Sequence, residues 1–547
     1  MNNRNNLQLY KTRPIKDLRD LINSSAALYG DSPACLFKEI PGGSYQSRSY
    51  LQLKKDIDAF GTALLDLGLK GRHIGVIGEN RYEWILADLA VINGVGTVVP
   101  LDRELPVSEL ANLAHRAHLS AIVYSSKVER RLLEAVRENE DVRFLISMDS
   151  LDSGGGILSM KELIRKGRQL LRNGSRFYLD AAIDPDAMSI LLFTSGTTGL
   201  AKGVMISSRN IVSNVMGMAK YVKITRNDVS LSVLPVHHTF EFTCNQMSVL
   251  YQGGTIAICD SLKNLVKNMR ECRATMLIAV PQIFELMYKR IWKKAKKTGL
   301  LNRRRYKEVH AALGGRARLF ITGAAPIDPE IIENFNLMGI TMIQGYGLTE
   351  SSPVVTMNPD RLHCSSSVGQ ALPETEIRID QPDDSGIGEI MTRSDSVMLG
   401  YYENPEATAE VLENGWLRTG DYGYLDEAGF LFITGRKKNV IVTQNGKNIF
   451  PEEVEYYLSK SDYVREVIVN GEEDQKTGNL IITAHIVPDF ELLYKTEGRI
   501  TEDAAREFFR KIVDEANEQM PPYKRIKRIL LRREIFERTS TNKIRRF

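Results

Sequence analysis

Cysteine is scarce in this chain of 547 residues: Cys35, Cys244, Cys259, Cys272 and Cys364 are scattered, with no C-x-x-C pair. That spacing excludes a disulfide framework or a cysteine zinc site and fits a reduced, cytoplasmic setting. No run of eighteen uncharged apolar residues appears, so no membrane-spanning helix is expected. The opening M-N-N-R-N-N-L-Q-L-Y lacks the apolar stretch of a signal peptide. A net charge of +4 is too small to imply a nucleic-acid partner.

What charge there is clusters. Residues 289–307 hold ten Lys or Arg and no acid, and residues 521–547 hold ten against Glu534 and Glu537. A solvated face explains such runs, and so does an anionic partner: coenzyme phosphates, an acidic carrier protein or an anionic membrane surface.

Residues 1–180 alternate between helical and strand patterns. Apolar residues recur at helical spacing over 50–67 and 81–93, and short apolar runs at 73–77, 95–99, 119–124 and 142–147 read as strands. Such βαβ alternation predicts an α/β fold with a mainly parallel sheet and helices on both faces.

Residues 190–205 read I-L-L-F-T-S-G-T-T-G-L-A-K-G-V-M. A short buried strand enters a turn where Thr194, Ser195, Thr197 and Thr198 alternate with Gly196 and Gly199, and Lys202 precedes a return strand. Glycines permit close backbone approach, hydroxyls donate to phosphate oxygens and lysine adds a cation. The pattern suggests a polyphosphate clamp, although by itself it also describes a glycine turn between strands. It is not a Walker A loop, because Ala201 and Gly203 occupy the positions that loop needs for glycine and Ser/Thr.

Further motifs follow in order. In L-P-V-H-H-T-F-E, Pro235 ends a strand at 231–234 and leaves His237 and His238 at its tip, where α/β folds bind ligands and where packed histidines are also common. The strand at 318–322 runs into G-A-A-P at 323–326. That at 341–344 runs into G-Y-G-L-T-E, in which Tyr346 offers an aromatic face and Glu350 a hard oxygen ligand. Residues 388–400 have β character. Asp421 lies in T-G-D-Y-G, Arg436 and Lys438 in G-R-K-K-N, and Pro451 opens a helix in F-P-E-E-V-E. The chain closes R-T-S-T-N-K-I-R-R-F.

Together these motifs resemble the adenylate-forming (AMP-binding) enzymes, most of all the bacterial long-chain fatty acid–CoA ligases, from about Tyr50 to the end. The resemblance implies a large N-terminal domain (1–436) of two α/β subdomains and a small distorted β-barrel, then a mobile α+β lid (437–547). It implies ATP and coenzyme A as co-substrates with Mg²⁺, acyl-AMP as intermediate, and no nucleic acid. Residues 194–199 and Lys202 would bind phosphates. Gly323, Ala324, Gly345, Tyr346, Gly347 and Thr349 would bind the nucleotide, and Asp421 and Arg436 its ribose. Glu350 and Thr194 would hold the metal, and His238 would line the acyl pocket. His238, Thr349, Glu350 and Lys543 would be catalytic. Lys438 would be the hinge, and Gly446 would lie where pantetheine enters.

Two departures stand out: Asn542 replaces the glycine usual before the catalytic lysine, and the sequence stops four residues after Lys543. Transfer to an acyl carrier protein and activation of an aryl or other acid are alternatives. A phosphate-loop kinase would release ADP, and a non-catalytic member of the fold would not keep Lys543, Glu350, Asp421 and Arg436.

Overall fold

The computed structural model describes residues 8–194, 201–296, 303–442, 448–473, 480–498, 501–537, 544 and 546, with only the backbone course of 291–296 and 303–306. They fall into two compact units. The first is Met1–Ile377, Thr392–Leu417 and Glu427–Leu431; the second is Arg378–Met391, Arg418–Asp426 and Phe432–Phe547.

The first unit contains two large sheets. One runs, in spatial order, Gly400–Tyr401, Lys202–Ser207, Met188–Thr194, Thr97–Leu101, His73–Ile77, Leu119–Tyr124, Phe144–Ser147 and Ile157–Ser159. The other has nine strands, with Leu319–Thr322 between Thr341–Gly347 and Met276–Ala279, and then Val229–Ser232. Both are parallel through the middle and antiparallel toward an edge.

Burial on both faces follows from the two-residue period of strands. In Leu119–Tyr124, Ala121 and Val123 join one apolar cluster while Ile122 and Tyr124 join another. Met276 and Ile278 likewise face away from Leu277 and Ala279. Helices supply the cover: Tyr50–Asp66 and Tyr82–Ile92 on one side of the first sheet, Val107–Arg116 and Glu129–Ala135 on the other. The long helix at 50–66 starts where expected because Ser49 and Gln52 form a reciprocal capping box.

Some boundaries moved. The strand expected at 95–99 is Thr97–Leu101, because the chain must first turn through Gly94 and Gly96; a Cβ on Gly96 would lie 2.1 Å from the Arg72 carbonyl oxygen. The strand expected at 231–234 is Val229–Ser232, and an unforeseen π-helix, Phe240–Met247, follows it.

In the second unit, Val464–Glu473 pairs antiparallel with Leu480–Pro488, which pairs parallel with Ile526–Leu531. Helices Pro451–Ser459 and Glu502–Glu518 pack on this sheet through Val454, Leu458, Phe509 and Val513. The short helix Phe490–Glu497 was not anticipated. The unit's earlier segments contribute to strands Gly388–Arg393 and Trp416–Leu425, so the β character read at 388–400 holds for 388–393 and not for the turn that follows.

Candidate active site

The strands on either side of the hydroxyl-rich segment pair, as the sequence suggested. Met188–Thr194 and Lys202–Ser207 pair antiparallel with Thr194 opposite Lys202, and the Thr194 hydroxyl donates to the Lys202 carbonyl at 3.4 Å. A capping box of Ser207 and Asn210 starts the next helix, and Asn210 Nδ2 donates to the carbonyls of Asp395 and Val397. That fastens the approach to the edge strand Gly400–Tyr401, whose residues lie opposite Met205 and Val204.

Tyr401 brings two separate motifs together. Its hydroxyl donates to Glu350 Oε1 at 2.9 Å, and Lys202 Nζ sits over its ring, 4.8 Å from the centroid. The Met398 N–H donates to the Glu350 carbonyl at 2.8 Å, so backbone and side chain hold the glutamate at one place. Burial, with the adjacent Glu350 carboxylate, pushes the Tyr401 hydroxyl far above its ordinary range, so it remains a donor. Sequence reasoning missed Tyr401, whose signal was G-Y-Y-E-N-P: a glycine and tyrosines in a two-residue strand.

The remaining residues of this unit lie at the ends of the parallel strands, where such folds bind ligands. Thr322 is opposite Gln344, and a Cβ on Gly323 would lie 3.1 Å from the Gly345 carbonyl oxygen. Ala324 has φ +69°, a conformation costly for a residue with a side chain and concentrated at functional sites. Gly347 is required for packing, since its Cβ would lie 1.8 Å from the Pro353 carbonyl oxygen. Tyr346 is buried, and Thr349 opens the short 3₁₀ turn containing Glu350.

His237 and His238 stand together, with ring centroids 4.1 Å apart. Asn80 positions the segment leading to them: its Nδ2 donates to the Leu234 carbonyl at 2.6 Å and its Oδ1 accepts from the Val236 N–H. Both histidines line a narrow, mostly apolar cavity with Ile190, Leu192, Val98 and Phe242. Burial, helped by nearby Arg103, lowers His237 to about 4, even though the Asp102 carboxylate stands 3.7 Å from its Nε2. The π-helix beyond is docked by buried polar contacts. Ser232 and Asn245 both donate to Glu241 Oε1, at 2.6 and 2.8 Å. Burial raises that carboxyl to about 7.

In the second unit, Arg436 Nε donates to buried Asp421 at 2.8 Å. Lys438 lies in the 3₁₀ turn Lys437–Asn439. Burial, then the charges of Arg436 and Arg546, lower its ammonium from the usual range. The tail is tied by Arg546, which pairs with Glu455, and by Ile544, which packs beside Ile468, Val487 and Phe536.

Residues 22–402 match the AMP-binding enzyme family, and residues 438–547 match the AMP-binding enzyme C-terminal domain. The chain belongs to the AMP-binding enzyme family. Among relatives, long-chain-fatty-acid–CoA ligase 5 of Rattus norvegicus is 28% identical over 89% of this chain and 78% of its own length. The long-chain-fatty-acid–CoA ligase of Escherichia coli O157:H7 is 28% identical over 85% of each. A chloroplastic long-chain-fatty-acid–[acyl-carrier-protein] ligase of Arabidopsis thaliana is 26% identical over 85% of this chain and 76% of its own. The fold is that of anthranilate CoA ligase AuaEII in complex with anthranoyl-AMP: TM-score 0.78, 20% identity, 98% of this chain and 96% of that one.

Membership in the AMP-binding enzymes implies magnesium, and the residues present fit it. Among the described residues no three His, Cys, Asp or Glu side chains converge to cage an ion. Magnesium typically keeps waters and substrate phosphates around one or two protein carboxylates, which the half-buried Glu350 can supply. Ser195, Gly196, Thr197, Thr198, Gly199, Gly446 and Lys543 lie outside the described residues.

Proposed function

We propose that this chain is an ATP-dependent acid–thiol ligase that activates a medium- or long-chain fatty acid and passes it to coenzyme A. A carboxylate oxygen attacks the α-phosphorus of ATP, the bond to the bridging oxygen breaks, and pyrophosphate leaves. The coenzyme A sulfur then attacks the acyl carbon, and AMP departs as the thioester forms. Chemistry of this kind asks the protein for positioning and charge neutralisation.

Residues 194–199 and Lys202 hold the β- and γ-phosphates in this reading. Gly323, Ala324, Gly345 and Gly347 let the backbone approach the nucleotide, Tyr346 stacks on the base, and Asp421 and Arg436 take the ribose. His238 lines the carboxylate's pocket, with Thr349 beside the reacting groups. Lys543 neutralises charge developing between carboxylate and phosphate. Glu350 with Thr194 would hold magnesium, which would supply neutralisation of the phosphate charge. The lid, residues 437–547, pivots at Lys438 between the two steps, and Gly446 borders the pantetheine path.

The observation carrying this reading is the meeting of Lys202 and Glu350 on Tyr401, which joins a cation and a carboxylate of the kind MgATP needs. Incubation with ATP, palmitate and coenzyme A should give AMP, pyrophosphate and acyl-CoA in equal amounts; ADP as product would refute it. Replacing coenzyme A by acyl carrier protein tests the second acceptor, which the basic C-terminus and the Arabidopsis relative favour.

The basic run 289–307 would place such a ligase against anionic lipid, where its substrate partitions. Among the described residues no helix is long and apolar enough to cross a membrane. Salt-sensitive sedimentation with anionic vesicles, lost when Lys293, Lys294, Lys296 and Lys297 become Gln, is the expected result. Wild-type protein that ignores such vesicles at low salt would make the run a solvated face.

A further inference from the structure

We propose that Tyr401 is a positioning residue that sets the phosphate-facing cation Lys202 and the metal-holding carboxylate Glu350 with one side chain, coupling magnesium binding to nucleotide binding. The inference rests on the nucleotide reading above.

Three observations carry it. Lys202 pairs with no carboxylate among the described residues; its ammonium lies instead over the Tyr401 ring, 4.8 Å from the centroid. A ring face attracts a cation without neutralising it, so the charge stays available to an anion. On the other side, the Tyr401 hydroxyl donates to Glu350 Oε1 at 2.9 Å and fixes which way that carboxylate points.

Tyr401 itself is held from several directions. It is buried, its N–H donates to the Thr408 hydroxyl at 2.9 Å, and its strand pairs with the one carrying Lys202. Its neighbours are fastened too: the Tyr402 N–H donates to the Gly203 carbonyl at 2.7 Å, and the Leu399 N–H to that of Met205 at 2.9 Å. Tyr401 is therefore the fixed member of the trio.

The two halves of the side chain can be separated. Tyr401→Phe keeps the ring under Lys202 and removes the hydroxyl from Glu350; Tyr401→Leu removes both. The readout is equilibrium binding of ATP by calorimetry across a magnesium titration, without acid or coenzyme A, so turnover does not enter. For Tyr401→Phe we expect the half-saturating magnesium concentration to rise about tenfold, the scale of one hydrogen bond to a charged group. Binding of ATP in EDTA should stay unchanged. Tyr401→Leu should weaken binding in EDTA as well. In a Glu350→Gln background, Tyr401→Phe should add nothing to the magnesium requirement.

A Tyr401→Phe protein within twofold of wild type across the titration would overturn the inference alone. So would an equal loss with and without magnesium, which is what a merely structural tyrosine would give. Wild-type protein that binds no MgATP would overturn the nucleotide reading, and this inference with it.

Discussion

Arg436 Nε donates to Asp421 Oδ1 at 2.8 Å, pairing the two residues that the nucleotide reading assigns to the ribose. The carboxylate is buried and the guanidinium nearly half exposed, so the pair presents an oriented acceptor backed by a fixed cation. The Asp421 N–H also donates to the Thr419 hydroxyl, and that hydroxyl to the Ile390 carbonyl. Asp421→Asn keeps the shape and removes the charge, and should weaken AMP binding by about tenfold or more. Calorimetry with AMP and with 2′,3′-dideoxy-AMP checks it: the variant's deficit should vanish for the analogue lacking both hydroxyls.

Two groups beside the histidine cavity, buried Glu241 and the largely covered His237, should give stability opposite pH dependences. His237 is lowered from 6.5 to about 4, so the folded state resists its protonation. Its contribution is complete above pH 6.5 and is lost as pH falls toward 4. Glu241 is raised from 4.5 to about 7, so its contribution is complete below pH 4.5 and is lost as pH rises through 7. Each effect is on the order of 3 kcal/mol at most. Urea unfolding from pH 4 to 8 should show less acid destabilisation in His237→Gln and less loss toward pH 8 in Glu241→Gln. Unchanged profiles in both variants would contradict these assignments.

Lys438 occupies a single 3₁₀ turn directly after the strand Leu431–Arg436, and proline there would fix φ. If it is the pivot, Lys438→Pro should form acyl-AMP at close to the wild-type rate and fail to pass it to coenzyme A. Rapid-quench measurement of the two steps separates them, and normal turnover to acyl-CoA would put the pivot elsewhere.

Much of this was legible because its signals are local. The paired strands Met188–Thr194 and Lys202–Ser207 announce themselves through two apolar runs on either side of a hydroxyl- and glycine-rich sequence. The parallel sheets were legible from alternating helical and strand periods. The π-helix Phe240–Met247 was not, because its defining feature is one extra residue per turn and its support comes from Ser230 and Ser232 on a separate strand. Tyr401 was invisible for a similar reason: its meaning lies in Lys202 and Glu350, which reach it only through tertiary pairing. The packing demand on Gly347, against Pro353, was not legible because Pro353 meets it only through the fold.

Lys543 is assigned to the first step only. Lys543→Ala should therefore slow acyl-AMP formation by roughly 10²–10³-fold, the usual scale for losing one charge-stabilising contact. Conversion of supplied acyl-AMP and coenzyme A to thioester should remain near wild type. Equal loss in both half-reactions would remove the residue from its assigned role.

If a carboxylic acid is activated at the α-phosphorus of ATP, that step is reversible and must drive acid-dependent exchange of labelled pyrophosphate into ATP. With magnesium present and coenzyme A absent, label should enter ATP when palmitate or a medium-chain fatty acid is added, and not with amino acids. It should require Glu350 and Asp421. No exchange with any acid, or exchange that proceeds equally without one, would mean that the chain does not form acyl-AMP.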